Sequence, residues 1–295
     1  MFKSVESGVK FMLLSSLFSA VNGAVAKILS DEISALEIVF FRNLLGVLII
    51  LFTLKHTPAL FSKDKLGLLL VRGFMGFSAM IMFFYTITSI PLGVAITLNK
   101  TSPFFVAILA FWLLNERATK KSVAAVFIGF IGVLLITSPN ELSISYEHVL
   151  GLLGGFFAAA AYTTIRKIKD HFDSRIIVLS FMGVGTVIPF FMFLLASVYT
   201  PPEYLKFLID DFSMPETKSV WFYIGLMAVI ATISQWLLTK AYSSSNATVI
   251  GVVSYTNIPF AIGFGMMLGD PIPSLAAFCG IVLIVLGGLL VKKGS

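Results

Sequence analysis

Two basic residues stand inside apolar stretches: Arg42 in Phe40-Phe41-Arg42-Asn43, and Lys100 in Asn99-Lys100-Thr101-Ser102-Pro103. A charge in such surroundings is costly unless something pairs with it, so each is a candidate contact for an anion. Both lie about eight residues into their apolar runs, which is about 12 Å at 1.5 Å per helical residue. Glu37, about one and a half turns before Arg42, is a candidate partner for it. Lys100 has no carboxylate at i±3 or i±4. Two prolines sharpen this second position. Pro103 cannot donate to the carbonyl of Asn99, nor Pro259 to that of Tyr255, so kinks are expected at both, with Asn99, Lys100, Tyr255 and Asn257 beside them. Asn22, Tyr162, Gln235 and Trp236 are weaker candidates of the same kind, and each also reads as an interhelical hydrogen-bonding or packing residue.

The chemistry absent from the chain is equally informative. The three histidines, His56, His148 and His171, fall at the ends of apolar runs with no metal-ligand spacing, and the single Cys279 reads as a packing residue. No carboxylate lies in the middle of an apolar run, so a carboxylate-based proton relay lacks its carrier. No phosphate-binding loop, metal cluster or nucleophile–base pair is visible, so neither catalytic residues nor a cofactor or metal is expected.

The elements that position these residues follow from composition. Of 295 residues, 58% are hydrophobic and 12% charged, against about 25% charged in an average soluble domain. The mean hydropathy is +0.97. So much apolar surface cannot be hidden in a soluble chain of this length, and the partner it implies is a lipid bilayer. A net charge of +6 does not point to nucleic acid, because the basic residues sit in short clusters between apolar runs.

Ten spans are expected, at 8–29, 34–54, 68–89, 92–114, 121–138, 148–166, 175–199, 219–240, 246–268 and 272–291, with a break between the third and fourth at Pro91. Lys3 and Lys10 ahead of an apolar stretch resemble a signal peptide, but that stretch is long enough to span and is read as the first helix. With both termini cytoplasmic, the inner segments hold nearly all the loop cations, among them Lys55, Arg72, Arg117, Arg166, Arg175, Lys240 and Lys293. The outer segments hold only Lys206 and Lys218. Such a bias sets orientation.

An internal repeat divides the spans. Asn99–Phe104 aligns with Tyr255–Phe260, each followed by a polar turn (Asn115-Glu116, Gly269-Asp270). Ala125 and Gly132 are separated as are Gly280 and Gly287. Residues 1–140 and 141–295 are therefore expected to be two five-helix units of one all-α membrane domain. An odd number of helices inverts the second unit, the architecture of carriers with a site near the midplane.

With this order of motifs the chain resembles the drug/metabolite transporter superfamily, in its EamA-type ten-helix branch. The residues carrying the resemblance are Phe40-Phe41-Arg42-Asn43, Thr101-Ser102-Pro103, Asn115-Glu116-Arg117, Ala161-Tyr162 with Arg166, Thr239-Lys240-Ala241-Tyr242, and Gly269-Asp270-Pro271. Asp270 departs from the Glu often found there, at a turn rather than at the site. The resemblance implies a bacterial inner-membrane carrier of small organic metabolites working by alternating access. The surplus of buried cations favours a carboxylate-bearing or amino-acid-like cargo. The alternative is an exporter of apolar or aromatic compounds with structural cations; a membrane assembly subunit or intramembrane enzyme is more remote.

Overall fold

A computed structural model describes residues 2–30, 32–57, 59–89, 98–116, 119–137, 146–202, 205, 208, 209, 211–267 and 274–292. The Pro91 break, the Gly269-Asp270 turn, Arg117, Lys206, Lys293 and the 140/141 junction lie outside the described residues. The helices are α1 (Phe2–Leu29), α2 (Ala35–His56), α3 (Leu66–Ser89), α4 (Ser102–Leu114), α5 (Lys120–Thr137), α6 (Tyr146–Ile168), α7 (Ser174–Ala196), α8 (Lys218–Ser244), α9 (Ala247–Val253), α10 (Asn257–Met267) and α11 (Leu275–Lys292). Among the described residues, seven stretches are long and apolar enough to cross a membrane: α1, α2, α3, α6, α7, α8 and the α9–α10 run. Residues Ser102–Leu114 and Phe278–Gly287 are shorter apolar helices. Helices are the expected outcome, because a backbone in hydrocarbon must satisfy its own hydrogen bonds.

Local chemistry sets the ends. Ser34 caps α2 through a capping box: its hydroxyl accepts from Glu37 N at 3.2 Å, and Glu37 Oε2 accepts from Ser34 N at 2.8 Å. The helix stops at Thr57, held extended (φ −137°, ψ 122°) ahead of Pro58. Asn115 ends α4 in the left-handed region at φ 53°, which asparagine tolerates. Both expected proline disruptions are present as helix starts. Pro103 sits in the first turn of α4, and Pro259 in the first turn of α10, just after a 3-10 turn at Ser254–Thr256.

Several contacts define one end of the bundle, called proximal here. Arg175, at the start of α7, donates to the Thr53 and Thr57 carbonyls at the end of α2 (3.2 and 3.3 Å). It also holds Asp173 (3.0 and 3.1 Å), and these bonds keep the Asp173 carboxyl below the usual carboxylate range. Gly8 of α1 abuts Ser245, beyond the end of α8. At the opposite, distal end, Glu37 of α2 meets Ser213, and Phe41 meets Trp221 near the start of α8 at 5.2 Å between rings.

The principal packing partners are α5 with α11, α1 with α8, α3 with α6 and α2 with α7. α4 lies on α6, as α10 lies on α1. The α5–α11 contact brings backbone close to backbone. A Cβ on Gly132 would lie 2.6 Å from the Gly280 carbonyl oxygen, and one on Gly287 3.1 Å from that of Ala125. Small residues at a fixed separation on both helices allow this approach. Large apolar side chains such as Phe52, Trp112, Phe222 and Phe278 are turned outward, as a lipid-facing surface requires.

Gly132→Leu is expected to destabilise the detergent-purified protein by about 1–3 kcal/mol through overpacking, seen as a lower thermal unfolding midpoint. Gly225→Ala, whose added methyl meets nothing within 4 Å, should leave that midpoint unchanged or slightly raised, since alanine favours helix over glycine. Indistinguishable midpoints for the two variants would mean that the close α5–α11 approach is dispensable.

Candidate functional site

The breaks ahead of α4 and α10 turn polar groups toward the middle of the bundle. Lys100 lies in the turn preceding α4, and its Nζ donates to Asn257 Oδ1 at 3.4 Å. Asn257 is oriented from its other side, donating through Nδ2 to the Ser16 carbonyl of α1 at 3.0 Å. Lysine and amide thus join the two helix starts that the proline repeat singled out. They line a cavity of about 100 Å³ with Asn99, Tyr162 and Gln235, all three anticipated from sequence. That volume is the share of about three waters in the liquid.

Hydroxyls that sequence reasoning misses complete the lining: Ser15, Ser16 and Ser19 from α1 and Ser234 from α8. Ser15 donates to the Ser234 carbonyl at 2.8 Å, and Ser234 donates back to the Ser15 carbonyl at 3.0 Å. Their signal is a 3–4 spacing: Met12, Ser15, Ser19 and Asn22 share one face of α1. Asn22 itself lies on that face beyond Ser19, with a buried Oδ1 lacking a hydrogen-bond partner among the described residues.

Toward the proximal end the cavity is floored by aromatic rings. Tyr162 of α6 stacks on Tyr242 of α8, centroids 4.8 Å apart and planes at 15°. Beside α4 and α6, Glu116 Oε1 accepts from Arg166 Nε at 2.8 Å, and its Oε2 accepts from the Ala247 amide, which opens α9, at 3.0 Å. Arg166 also donates to the Ser243 carbonyl in the last turn of α8 at 3.0 Å. One carboxylate thereby ties together the proximal ends of α4, α6, α8 and α9. Glu116 and Arg166 are only 16% and 21% exposed, so their attraction is less screened than that of a surface pair.

Other expected residues lie elsewhere. Arg42 is buried between α2, α3 and α7, donating to Met80 Sδ at 2.9 Å, with its guanidinium 6.0 Å from the Phe181 ring centre. The anticipated Glu37–Arg42 pair does not form. Five residues turn a helix by about 140°, so the two side chains leave opposite sides of α2. Glu37 is instead taken by Ser34 and by Ser213, whose N and Oγ donate to Oε1 at 2.7 and 3.1 Å. Tyr255 is fully buried against Gly129, where a Cβ would meet its ring at 2.6 Å, away from the cavity lining. Trp236 packs beneath the Lys240 ammonium, 4.0 Å from its ring centre.

The largest departure is Arg72, expected among loop cations. Arg72 lies in the second turn of α3 and turns inward onto the Phe181 ring, leaving it 1% exposed. Asn43 is likewise fully buried, donating to the Gly185 carbonyl at 3.3 Å. A larger apolar groove of about 540 Å³ lies between α4 and α5, lined by Phe104, Phe111 and Trp112 among others. Hydrogen-bonding side chains gather in the polar cavity rather than in this groove. Among the cavity's described lining residues there is one cation, Lys100, and no carboxylate.

The chain is similar to known transporters in sequence and to a solved structure in fold. The profile of the EamA-like transporter family matches residues 6–138 and 145–292. The pseudopaline exporter of Pseudomonas aeruginosa is 31% identical over 98% of this chain and 97% of its own. The S-adenosylmethionine uptake transporter of Rickettsia prowazekii is 22% identical over 96% and 91%. A solved crystal structure superposes over 99% of both chains with a TM-score of 0.76 at 15% identity, sharing the fold.

The Glu116–Arg166 pair makes a thermodynamic prediction. In a double-mutant cycle of Glu116→Gln, Arg166→Gln and the pair, thermal unfolding should reveal a coupling of about 1 kcal/mol or more. Additive effects of the single variants would show that the proximal ends are held by something else.

Proposed function

We propose that this chain, which belongs to the EamA-like transporter family, is a carrier of a small carboxylate-bearing or amino-acid-like metabolite, working by alternating access across the bacterial inner membrane. The observation that carries this reading is Lys100. Its ammonium faces a small polar cavity, its described hydrogen-bond partner is the neutral Asn257, and no carboxylate stands on the described cavity wall. A cation so placed is solvated best by an anionic group that comes and goes with the cargo. Asn99, Asn257, Gln235 and Tyr162 supply hydrogen bonds around it, and the α1 and α8 serines complete the polar wall.

The proposed architecture has ten spans with both termini cytoplasmic, built from residues 1–140 and 141–295 as inverted five-helix units. The packing supports this division. Exchanging the units turns the α1–α8 contact into α6–α3 and the α10–α1 contact into α4–α6, while α2–α7 and α5–α11 map onto themselves. The proximal end, where the Lys/Arg-rich segments gather, is then cytoplasmic. The Tyr162–Tyr242 stack and the Glu116–Arg166 pair form the cytoplasmic barrier. A cavity the size of about three waters must widen to take a metabolite, and rocking of the two units supplies that volume. An apolar cargo fits less well, because the wall is dominated by hydroxyl and amide groups.

A thermal-shift screen of the purified protein against a metabolite library tests the reading, since a ligand of the native state raises the midpoint. Carboxylate-bearing compounds should dominate the hits. Lys100→Ala should weaken them about tenfold or more, the worth of a charge-assisted hydrogen bond. Hits that are neutral and apolar, or that bind Lys100→Ala unchanged, would refute the proposal.

A further inference from the structure

The groove of about 540 Å³ between α4 and α5 lies apart from the Lys100 cavity, sharing no described lining residue with it. Its described lining is entirely apolar. The two helices meet at its inner end, where the Phe104 ring packs edge-on against Phe127 and Phe130 of α5, with 5.3 and 4.7 Å between centres. From there the groove runs eight residues along α4 to Trp112, with Val123 of α5 also on its wall. That is about 12 Å at 1.5 Å per residue. One leaflet of a bilayer holds about 15 Å of hydrocarbon, half of a core of about 30 Å. The groove thus matches the path of one acyl chain through a leaflet. Phe111, Trp112 and Phe127 are 56%, 75% and 55% exposed, so it opens outward to lipid and not into the bundle.

Charge marks the proximal mouth of the groove. Lys120 and Lys121 open α5, within one turn of Val123. Both are exposed, and neither forms an ion pair among the described residues. Trp112 lies two residues from the end of α4, the level at which an interfacial ring belongs. The lysine pair is not demanded by the repeat. At the offset that relates Ala125 to Gly280, Lys120 and Lys121 correspond to Leu275 and Ala276, which open α11. A second copy of the chain fits this face poorly. A two-fold dimer about the membrane normal would bring both lysine pairs to the same end of the seam, where like charges repel. An acyl chain beneath an anionic headgroup satisfies both features, because hydrocarbon fills the groove while the phosphate meets the ammonium groups.

We propose that the α4–α5 groove is a binding site for an anionic phospholipid, with one acyl chain lying between Phe104 and Trp112 and the phosphate held by Lys120 and Lys121. The site is separate from the cargo cavity and does not depend on what that cavity carries.

The test is quenching of tryptophan fluorescence by brominated lipids, with the full chain reconstituted in phosphatidylcholine vesicles. The probes are phosphatidylglycerol and phosphatidylcholine with dibrominated acyl chains, titrated at equal mole fractions. The difference between wild type and Trp112→Phe isolates the signal of Trp112 from that of Trp221 and Trp236. The brominated anionic lipid should quench Trp112 with an apparent affinity about fivefold or more above that of the zwitterionic one, since each lysine near an anionic group contributes about that factor. In the Lys120→Gln/Lys121→Gln double variant the ratio should fall to about one. Lys63→Gln/Lys65→Gln, which removes two exposed proximal cations ahead of α3, should keep the wild-type ratio. Equal quenching by the two lipids in wild type, or an unchanged ratio in the Lys120/Lys121 variant, overturns the proposal. An equal fall in the Lys63/Lys65 variant also overturns it, by showing a general surface attraction. So does a Trp112 that neither lipid quenches, which would mean that protein, such as a second copy, covers the groove.

Discussion

Positive charge within a helix bundle surrounded by hydrocarbon has to be solvated by protein, and the polar interior is organised around that demand. Lys100, Arg42 and Arg72 lie inside, while Glu37 and Glu116 sit toward opposite ends, each saturated by donors from neighbouring helices. The middle of the bundle consequently has a positive bias that its own carboxylates do not cancel. Each cation is met by a softer substitute: an amide for Lys100, a thioether for Arg42 and an aromatic face for Arg72. None of these is as strong as an ion pair, so an anionic visitor has something to gain.

Close packing makes that interior possible. The α4 and α10 helices begin at their prolines, leaving Lys100 and Asn257 beside freed backbone, and the chain must bring both breaks to α1 and α6 without gaps. Gly155 of α6 does so on one side: a Cβ there would lie 3.1 Å from the Leu98 carbonyl oxygen, just ahead of Lys100. The Asn257 bond to the Ser16 carbonyl does so on the other. Polar site and apolar packing are thus joined within the same few residues.

Much of this was legible in the chain. Apolar runs located the helices, and the proline repeat led to Lys100, Asn99 and Asn257, which do meet at one cavity. The errors share a cause. Sequence reports how far along a helix a residue lies more readily than which way its side chain leaves. Arg42 and Glu37 are close in depth yet diverge in direction, and Tyr255, beside the same break as Asn257, turns to Gly129 instead. Arg72 shows the same thing near a helix end: it lies in the second turn of α3, where a long cationic side chain can reach the loop side or turn inward, and it turns inward onto Phe181. The α1 serines were missed because single hydroxyls are common in membrane helices and only their periodicity sets these apart.

The glycine contact between α5 and α11 has a mechanical consequence. Where Gly132 meets Gly280 and Gly287 meets Ala125, peptide lies against peptide, with the Ile284 side chain packed beside Gly132. A joint of that kind behaves as a plain bearing. It permits small rotations with little frictional barrier, yet resists separation, because any gap forfeits the dispersion contacts of the whole seam. In the proposed architecture, motion of one five-helix unit against the other would pivot about this seam, and the larger displacements would fall at the cavity, where side chains have room to rearrange.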